Sequence, residues 1–289
     1  DDALYRFDPS EYTGGKPLRL KRPRFLAIVS SHVLATMLAR NAESRVDGFV
    51  IEGPTAGGHN APPRGKPALS DEGEPVYGER DRADLAAFRE LDLPFWLAGG
   101  YGRPGRVKEA IGEGAAGVQV GTPFAYCDES GLDPDIKSRV LTASRERRAV
   151  VHTDPVASPT GFPFKVLGLE GSMSEDDAYA GRERICDLGY LRTASVDDSG
   201  RIGWRCPAEP VDDYVRKGGD PADTVGRKCL CNALLATVGL AQHRRNGTIE
   251  LPLLTSGDDV ADVADFLPEG ASGYSAGDVI DRLLDGIET

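Results

Sequence analysis

Four short apolar runs dominate the first half of the chain, at residues 25–30, 48–52, 93–98 and 115–120. Each run is continuously apolar rather than alternating, which indicates strands buried on both faces, as in a parallel sheet. A helix is predicted between the third and fourth runs, from Pro104 to Ile111, with a proline near its first turn. Strands that alternate with helices in this way predict an α/β fold built from β/α units.

The second half of the chain has a different pattern. Beyond residue 165 the strand signals stop, and helices are predicted at 174–186, 232–243, 261–267 and 275–287, with Ser275 as the N-cap of the last one. We therefore expect three regions. These are a loop at 1–23 that leads into the sheet, the β/α units at 24–165, and a mainly helical, cysteine-containing region at 166–289.

A glycine-rich turn that ends on a histidine follows the second run, as Glu52-Gly-Pro-Thr-Ala-Gly-Gly-His59. Gly57 and Gly58 allow the backbone to approach a ligand closely, because they carry no Cβ. An imidazole just beyond the C-terminal end of a parallel strand lies where α/β folds place their active sites. His59 is therefore a candidate catalytic residue, and the alternative is a histidine that only caps a turn.

Glycines also follow the third and fourth runs. Gly99 and Gly100 come directly after one strand, while Gly121 and Thr122 come directly after the next. Backbone N–H groups in such loops bind phosphate when they lie near a helix N-terminus. Because two consecutive units carry the feature, we interpret it as a phosphate site rather than as two ordinary turns.

Residues 52–59, 97–101 and 117–122 together resemble three motifs of the nitronate monooxygenase family, formerly 2-nitropropane dioxygenase. That family consists of FMN-dependent TIM barrels, and bacterial flavin enoyl reductases share its motifs. The resemblance implies that His59 removes the α-proton of a nitroalkane-like substrate. It also implies that Gly99, Gly100, Gly121 and Thr122 hold the FMN phosphate, with Gln119 nearby.

The resemblance also makes the four strands the last four of a barrel, with residues 156–164 as the segment that crosses the flavin mouth. A complete (β/α)8 barrel takes about 250 residues. Residues 24–165 are therefore expected to form the C-terminal half of an FMN-binding barrel. The N-terminal half is then missing from this sequence or carried by a partner chain. The alternative is an open α/β domain that was never a barrel.

Three functions remain open from the sequence. The first is oxidation of a nitronate or nitroalkane with dioxygen, and the second is enoyl reduction with NAD(P)H. The third is a non-catalytic half-barrel that needs a partner segment to bind flavin. No dinucleotide fingerprint G-x-G-x-x-G is present in a β/α unit, which favours the oxidase.

Composition and net charge limit the cellular location and the classes of binding partner that we expect. Apolar residues make up 40% of the chain and charged residues 28%, so widespread disorder is not expected. The net charge of −12 argues against a nucleic-acid partner, which would require a basic face. No apolar run reaches the roughly 18 residues of a membrane helix. We expect a cytoplasmic enzyme with a small-molecule substrate and leave a homo-oligomer open.

Four cysteines fall close together in the second half, at Cys186, Cys206, Cys229 and Cys231. In a cytosolic protein such a cluster indicates zinc or an iron–sulfur cluster more often than disulfides. The spacing lacks paired C-x-x-C motifs, so buried thiols that act as small apolar residues are the alternative.

The long connection at 60–88 is expected to be a lid over the flavin, since connections of this length are usually functional. Within it, Arg64 is a candidate contact for an anionic substrate, against the simpler interpretation of a solvated arginine.

Overall fold

The computed structural model describes residues 7–16, 21–41, 45–196 and 199–287. The predicted loop at 1–23 lies partly outside these ranges, and its described part contains one helical turn. Among the described residues, no helix is long and apolar enough to cross a membrane.

The first four strands form one parallel sheet in chain order. They are β1 (Leu26–Val29), β2 (Gly48–Glu52), β3 (Phe95–Ala98) and β4 (Gly117–Gln119). Each strand pairs with the next one along the chain. Neighbour-by-neighbour parallel pairing with connections that contain helices is the arrangement of TIM-barrel β/α units. The α/β prediction is therefore confirmed, and all four predicted strands form.

The helices are short, and the longest has 12 residues. They are α1 (Ser10–Thr13), α2 (His32–Arg40), α3 (Leu85–Arg89), α4 (Arg106–Gly112), α5 (Thr122–Ala125), α6 (Pro134–Arg145), α7 (Asp176–Gly181), α8 (Val211–Arg216), α9 (Leu230–Ala236) and α10 (Ala276–Leu284), with 3-10 helices at Glu79–Asp81, Pro221–Thr224 and Asp258–Phe266. Ser275 caps α10 as predicted, because its hydroxyl accepts from the Asp278 N–H while Asp278 accepts from Ser275.

The outer face of the sheet packs on α2, α3 and α4. Phe49 and Phe95 on the strands enclose Phe88 of α3, with ring centroids 5.9 and 6.1 Å apart. Burial of each such side chain contributes about 1.5–3 kcal/mol. This packing fixes the strands, and their C-terminal ends then position the loops that carry the predicted site.

The chain after residue 150 adds two antiparallel pairs. Strand β5 (Val151–Asp154) pairs with β6 (Phe164–Leu167), and β7 (Thr193–Val196) pairs with β8 (Ile202–Arg205). The sequence pattern predicted neither pair. The last segments then return to the β/α units, since Val260, Phe266 and Val279 share one hydrophobic core with Tyr126 and Val140.

Candidate active site

Two cavities open at the C-terminal ends of β2, β3 and β4. The histidine cavity has a volume of ≈ 310 Å³ and is lined by His59, Asn60 and Phe162 among others. The glycine cavity has a volume of ≈ 370 Å³ and contains both predicted glycine loops. Glu52, the last residue of β2, lines both cavities.

The glycine cavity brings together seven sequence-predicted residues, namely Gly57, Gly58, Gly99, Gly100, Gln119, Gly121 and Thr122. Gly99 and Gly100 have φ angles of +85° and +74°, a region that favours glycine. Within the described part of the chain, the amide N–H groups of Gly99, Gly100 and Gly121 make no hydrogen bond. A Cβ at Gly121 would have nothing within 4 Å. The cavity therefore offers free donors and open space together.

Gly57 is required for a reason that the sequence did not reveal. We expected this glycine to let the backbone approach a ligand, but a Cβ there would lie 2.8 Å from the Gly257 nitrogen and 2.8 Å from the Ser256 carbonyl carbon. The close approach is therefore between two segments of the chain. Gly58 has a φ of +78° and donates its N–H to Thr255 Oγ1 at 2.7 Å.

Residues 255–259 form a wall of the glycine cavity that sequence reasoning missed. The Gly257 N–H donates to Thr122 Oγ1 at 3.0 Å, and the Asp258 N–H donates to the Thr55 carbonyl at 3.0 Å. Asp259 is 5% exposed, and burial raises the pKa of its carboxyl. These contacts join positions more than 130 residues apart, so no local pattern signals them.

His59 is held in place by the segment at 156–164. Its Nε2 lies 2.6 Å from Ser158 Oγ, which in turn lies 2.8 Å from Thr160 Oγ1. The imidazole packs edge-on against Phe164, with ring centroids 4.8 Å apart. Burial lowers the pKa of His59, so the neutral imidazole is favoured. A fixed, neutral imidazole is suited to accept a proton.

Part of the 60–88 connection lines the histidine cavity. Arg64 lines the cavity, but its Nη2 donates to the Ser30 carbonyl at 2.7 Å and its Nη1 donates to the Arg80 carbonyl. Tyr77 also lines the cavity and donates its hydroxyl to the Ala61 carbonyl at 3.1 Å. Arg64 therefore organises the connection, whereas the sequence suggested a substrate contact or a solvated side chain.

The predicted metal site is not supported. Among the described residues, no group of three or more histidine, cysteine or acidic side chains could hold a metal ion. Cys206 and Cys229 are buried beside Ala208 and pack against Cys231, and burial raises the pKa of Cys206 to about 11. Burial thus favours the neutral thiol of Cys206.

Arginine side chains lie beside two of these cysteines. The Arg192 guanidinium lies beside Cys186, and the Arg182 guanidinium lies beside Cys229. Burial raises the pKa of the Cys229 thiol, and the Arg182 guanidinium acts in the opposite direction. The buried-thiol alternative therefore describes Cys206 and Cys229, while Cys186 and Cys231 are half-buried.

Comparison with known proteins finds similarity in the first half of the chain. The model of the family described as "Nitronate monooxygenase" matches residues 19–157. A protein of Bacillus subtilis (strain 168), "Probable nitronate monooxygenase", is 37% identical over 102 residues, which cover 35% of this chain and 28% of that protein.

Two solved structures are also similar. FabK from Thermotoga maritima aligns with a TM-score of 0.48 and 18% identity, over 96% of this chain and 65% of that one. Nitroalkane oxidase from Streptomyces ansochromogenes aligns with a TM-score of 0.36 and 27% identity, over 50% of this chain and 38% of that one. The fold assignment itself rests on the sheet topology above.

This chain thus spans less than two thirds of each of these three relatives. The family match covers all four sheet strands, His59 and both glycine loops. Residues 19–157 are therefore similar to the nitronate monooxygenase family over the part of the chain that carries the candidate site.

Proposed function

We propose that this chain supplies the phosphate-binding and proton-abstracting parts of an FMN-dependent oxidoreductase. Its substrate class is a nitroalkane or nitronate, and dioxygen is the final electron acceptor. The observation that carries the proposal is the adjacency of the two cavities, which share Glu52 as a wall. A phosphate-type site thus lies next to a fixed imidazole, and the family match supports the same chemistry.

The residues of the glycine cavity fit the phosphate end of FMN. The free N–H groups of Gly99, Gly100 and Gly121 would donate to phosphate oxygens, and the open space at Gly121 leaves room for them. Thr122, the first residue of α5, lines the same cavity. When bound, FMN would accept the electrons of the substrate carbanion and pass them to dioxygen.

His59 would act as the general base on a neutral nitroalkane. In the tautomer in which Nε2–H donates to Ser158, the Nδ1 lone pair is free to take the α-proton. Ser158 and Phe164 hold the ring, so little reorientation is needed before proton transfer. Because burial favours the neutral ring, the base stays competent at a lower pH than an unperturbed histidine.

The base assignment is tested by comparing nitroethane with its preformed nitronate. His59→Ala should lower kcat/KM for nitroethane by about 10²–10⁴, the usual contribution of a general base. The nitronate has already lost its proton, so its rate should change much less. His152→Ala is a matched control, since His152 is 44% exposed and lines neither cavity. Equal losses on both substrates would refute the assignment.

An uncovered apolar surface supports the expectation of further polypeptide. On β1 and α2, Ile28, Val33 and Met37 are 56%, 60% and 66% exposed. The outer edge of β1 pairs with no strand among the described residues. Exposed parallel edges invite pairing, so we infer that further β/α units cover this face, from the same polypeptide or a partner. A chain that binds FMN while monomeric by analytical ultracentrifugation would contradict this inference.

A further inference from the structure

Glu52 is an ionisable group that the proposed reaction has not yet used. It ends β2 and lines three cavities, the histidine cavity, the glycine cavity and a third of ≈ 540 Å³, which we call the tyrosine cavity because Tyr77 and Tyr101 line it. Its carboxyl makes no hydrogen bond or ion pair with any described residue. Such a half-buried, unpartnered carboxyl is costly to keep unless a ligand uses it.

The charged groups around Glu52 are engaged elsewhere. Arg64 donates to backbone carbonyls, Arg82 pairs with Glu79, and Arg106 pairs with Glu109 while lying over the Tyr101 ring. The remaining titratable groups that line the three cavities are His59, Tyr77, Asp81, Tyr101, Glu113 and Asp259. Among the described residues, no cation therefore holds Glu52 in its charged form.

We propose that Glu52, as a neutral carboxylic acid, donates a hydrogen bond to the nitro oxygen on which negative charge develops when His59 removes the α-proton. This role rests on the proposed function. In the step, the C–H bond breaks and an N–H bond forms on His59. The electron pair of the C–H bond becomes part of a C=N bond, and the negative charge moves to the nitro oxygens. The Glu52 proton stays on its own oxygen.

Burial favours, in each of the two groups, the protonation state that the proposed step needs. Burial lowers the pKa of His59 and raises the pKa of Glu52, so both groups are favoured in their neutral forms. Each shift favours the form that the step needs, a neutral base on His59 and a neutral hydrogen-bond donor on Glu52. Below its raised pKa, Glu52 donates to the anion. As the pH rises through that pKa, the carboxylate forms and repels the anion.

Two substitutions separate donation from packing. Glu52→Ala removes the donor and should lower kcat/KM for nitroethane by about 10²–10³, as for loss of an oxyanion-hole donor. Glu52→Gln keeps a neutral donor of similar shape, so most activity should remain and the decline at high pH should disappear. Glu79→Ala is the control, because Glu79 is 82% exposed and lines only the tyrosine cavity. Unchanged activity in Glu52→Ala, or an unchanged decline in Glu52→Gln, would overturn the proposal.

Binding and titration measurements that need no turnover test whether Glu52 is protonated and whether it contacts the anion. Nitrate is a planar oxyanion comparable in shape to a nitronate group, and its binding to the chain can be followed by isothermal titration calorimetry. We expect nitrate to bind more weakly as Glu52 ionises, and to bind Glu52→Gln without that pH dependence. Carbon-13 NMR of glutamate carboxyls, assigned with Glu52→Gln, should show the Glu52 resonance titrating above the ordinary glutamate range of about 4.3.

The outcomes are distinguishable. A wild-type chain that is inactive on nitroethane when FMN is bound and the β1–α2 face is covered would refute the proposed function, while the nitrate and NMR measurements would still decide the state of Glu52. An ordinary Glu52 pKa together with nitrate binding that does not depend on pH would overturn the Glu52 role alone.

Discussion

A methyl group at Gly121 tests whether the glycine cavity is kept open for a phosphate. An added Cβ would meet no atom within 4 Å, and Gly121 has a φ of −120° and a ψ of −49°, a conformation open to alanine. The fold therefore gives no reason for glycine at this position. Only a ligand that occupies the open space would exclude the methyl group.

The two expected effects of Gly121→Ala have opposite signs. Free of strain, the substitution should leave the free energy of unfolding unchanged or raise it by about 0.4–1 kcal/mol, because alanine restricts the unfolded chain. FMN binding should weaken at least tenfold, or about 1.4 kcal/mol, because the methyl group displaces the phosphate from the free N–H groups. Riboflavin lacks the phosphate, so its affinity should change little.

The assay combines urea unfolding of the ligand-free chain with flavin fluorescence titrations for FMN and riboflavin. Gly131→Ala is the matched control, since Gly131 also has open space around it but lines neither of the two cavities. Unchanged FMN affinity in Gly121→Ala would refute the phosphate assignment. Equal weakening of FMN and riboflavin would place another part of the flavin at this position.

Three further outcomes are expected. Gly57→Ala should destabilise the chain by about 1–3 kcal/mol in urea unfolding, because its Cβ would overlap the backbone at Gly257; an unchanged midpoint would contradict this contact. Glu250→Ala should cost about 3–5 kcal/mol by the same assay, because it removes the only carboxylate that pairs with the largely buried Arg182 among the described residues, although Arg244 keeps its pair with Asp187. Glu109→Ala in an exposed pair should cost under about 1 kcal/mol, and similar losses would contradict the reasoning. Burial depresses the pKa of His59 in the folded state, so the contribution of His59 to stability is present above about pH 6.5 and is lost as the pH falls through the depressed pKa. The difference in unfolding free energy between wild type and His59→Ala should therefore vary with pH. A difference that does not vary with pH would show that burial does not shift the pKa of His59.

The sequence predicted the parts of the fold that depend on local pattern. Continuous apolar runs located all four parallel strands, and the glycines after β3 and β4 located the glycine cavity. These features are encoded within a few residues, so they can be recognised without the rest of the chain. The N-cap at Ser275 was predicted for the same reason.

Features that depend on distant contacts were not predicted. The wall at 255–259 reaches Thr122 across 135 residues, and it also determines why Gly57 must be glycine. The pairing of β7 with β8 was missed because its sequence, with Gly203 inside a strand, carries a weak strand signal. The cysteine spacing suggested a metal site, and only the structure shows the buried thiols and the arginines beside them.

The absorbance spectrum of the FMN-loaded chain under anaerobic conditions tests the central claim most directly. Addition of nitroethane or its nitronate should bleach the visible flavin absorbance, air should restore it, and NADPH should leave it unchanged. Bleaching by NADPH but not by the nitro compounds would establish the enoyl reductase alternative. A chain that keeps no FMN after gel filtration, even when the β1–α2 face is covered by its partner polypeptide, would contradict the account.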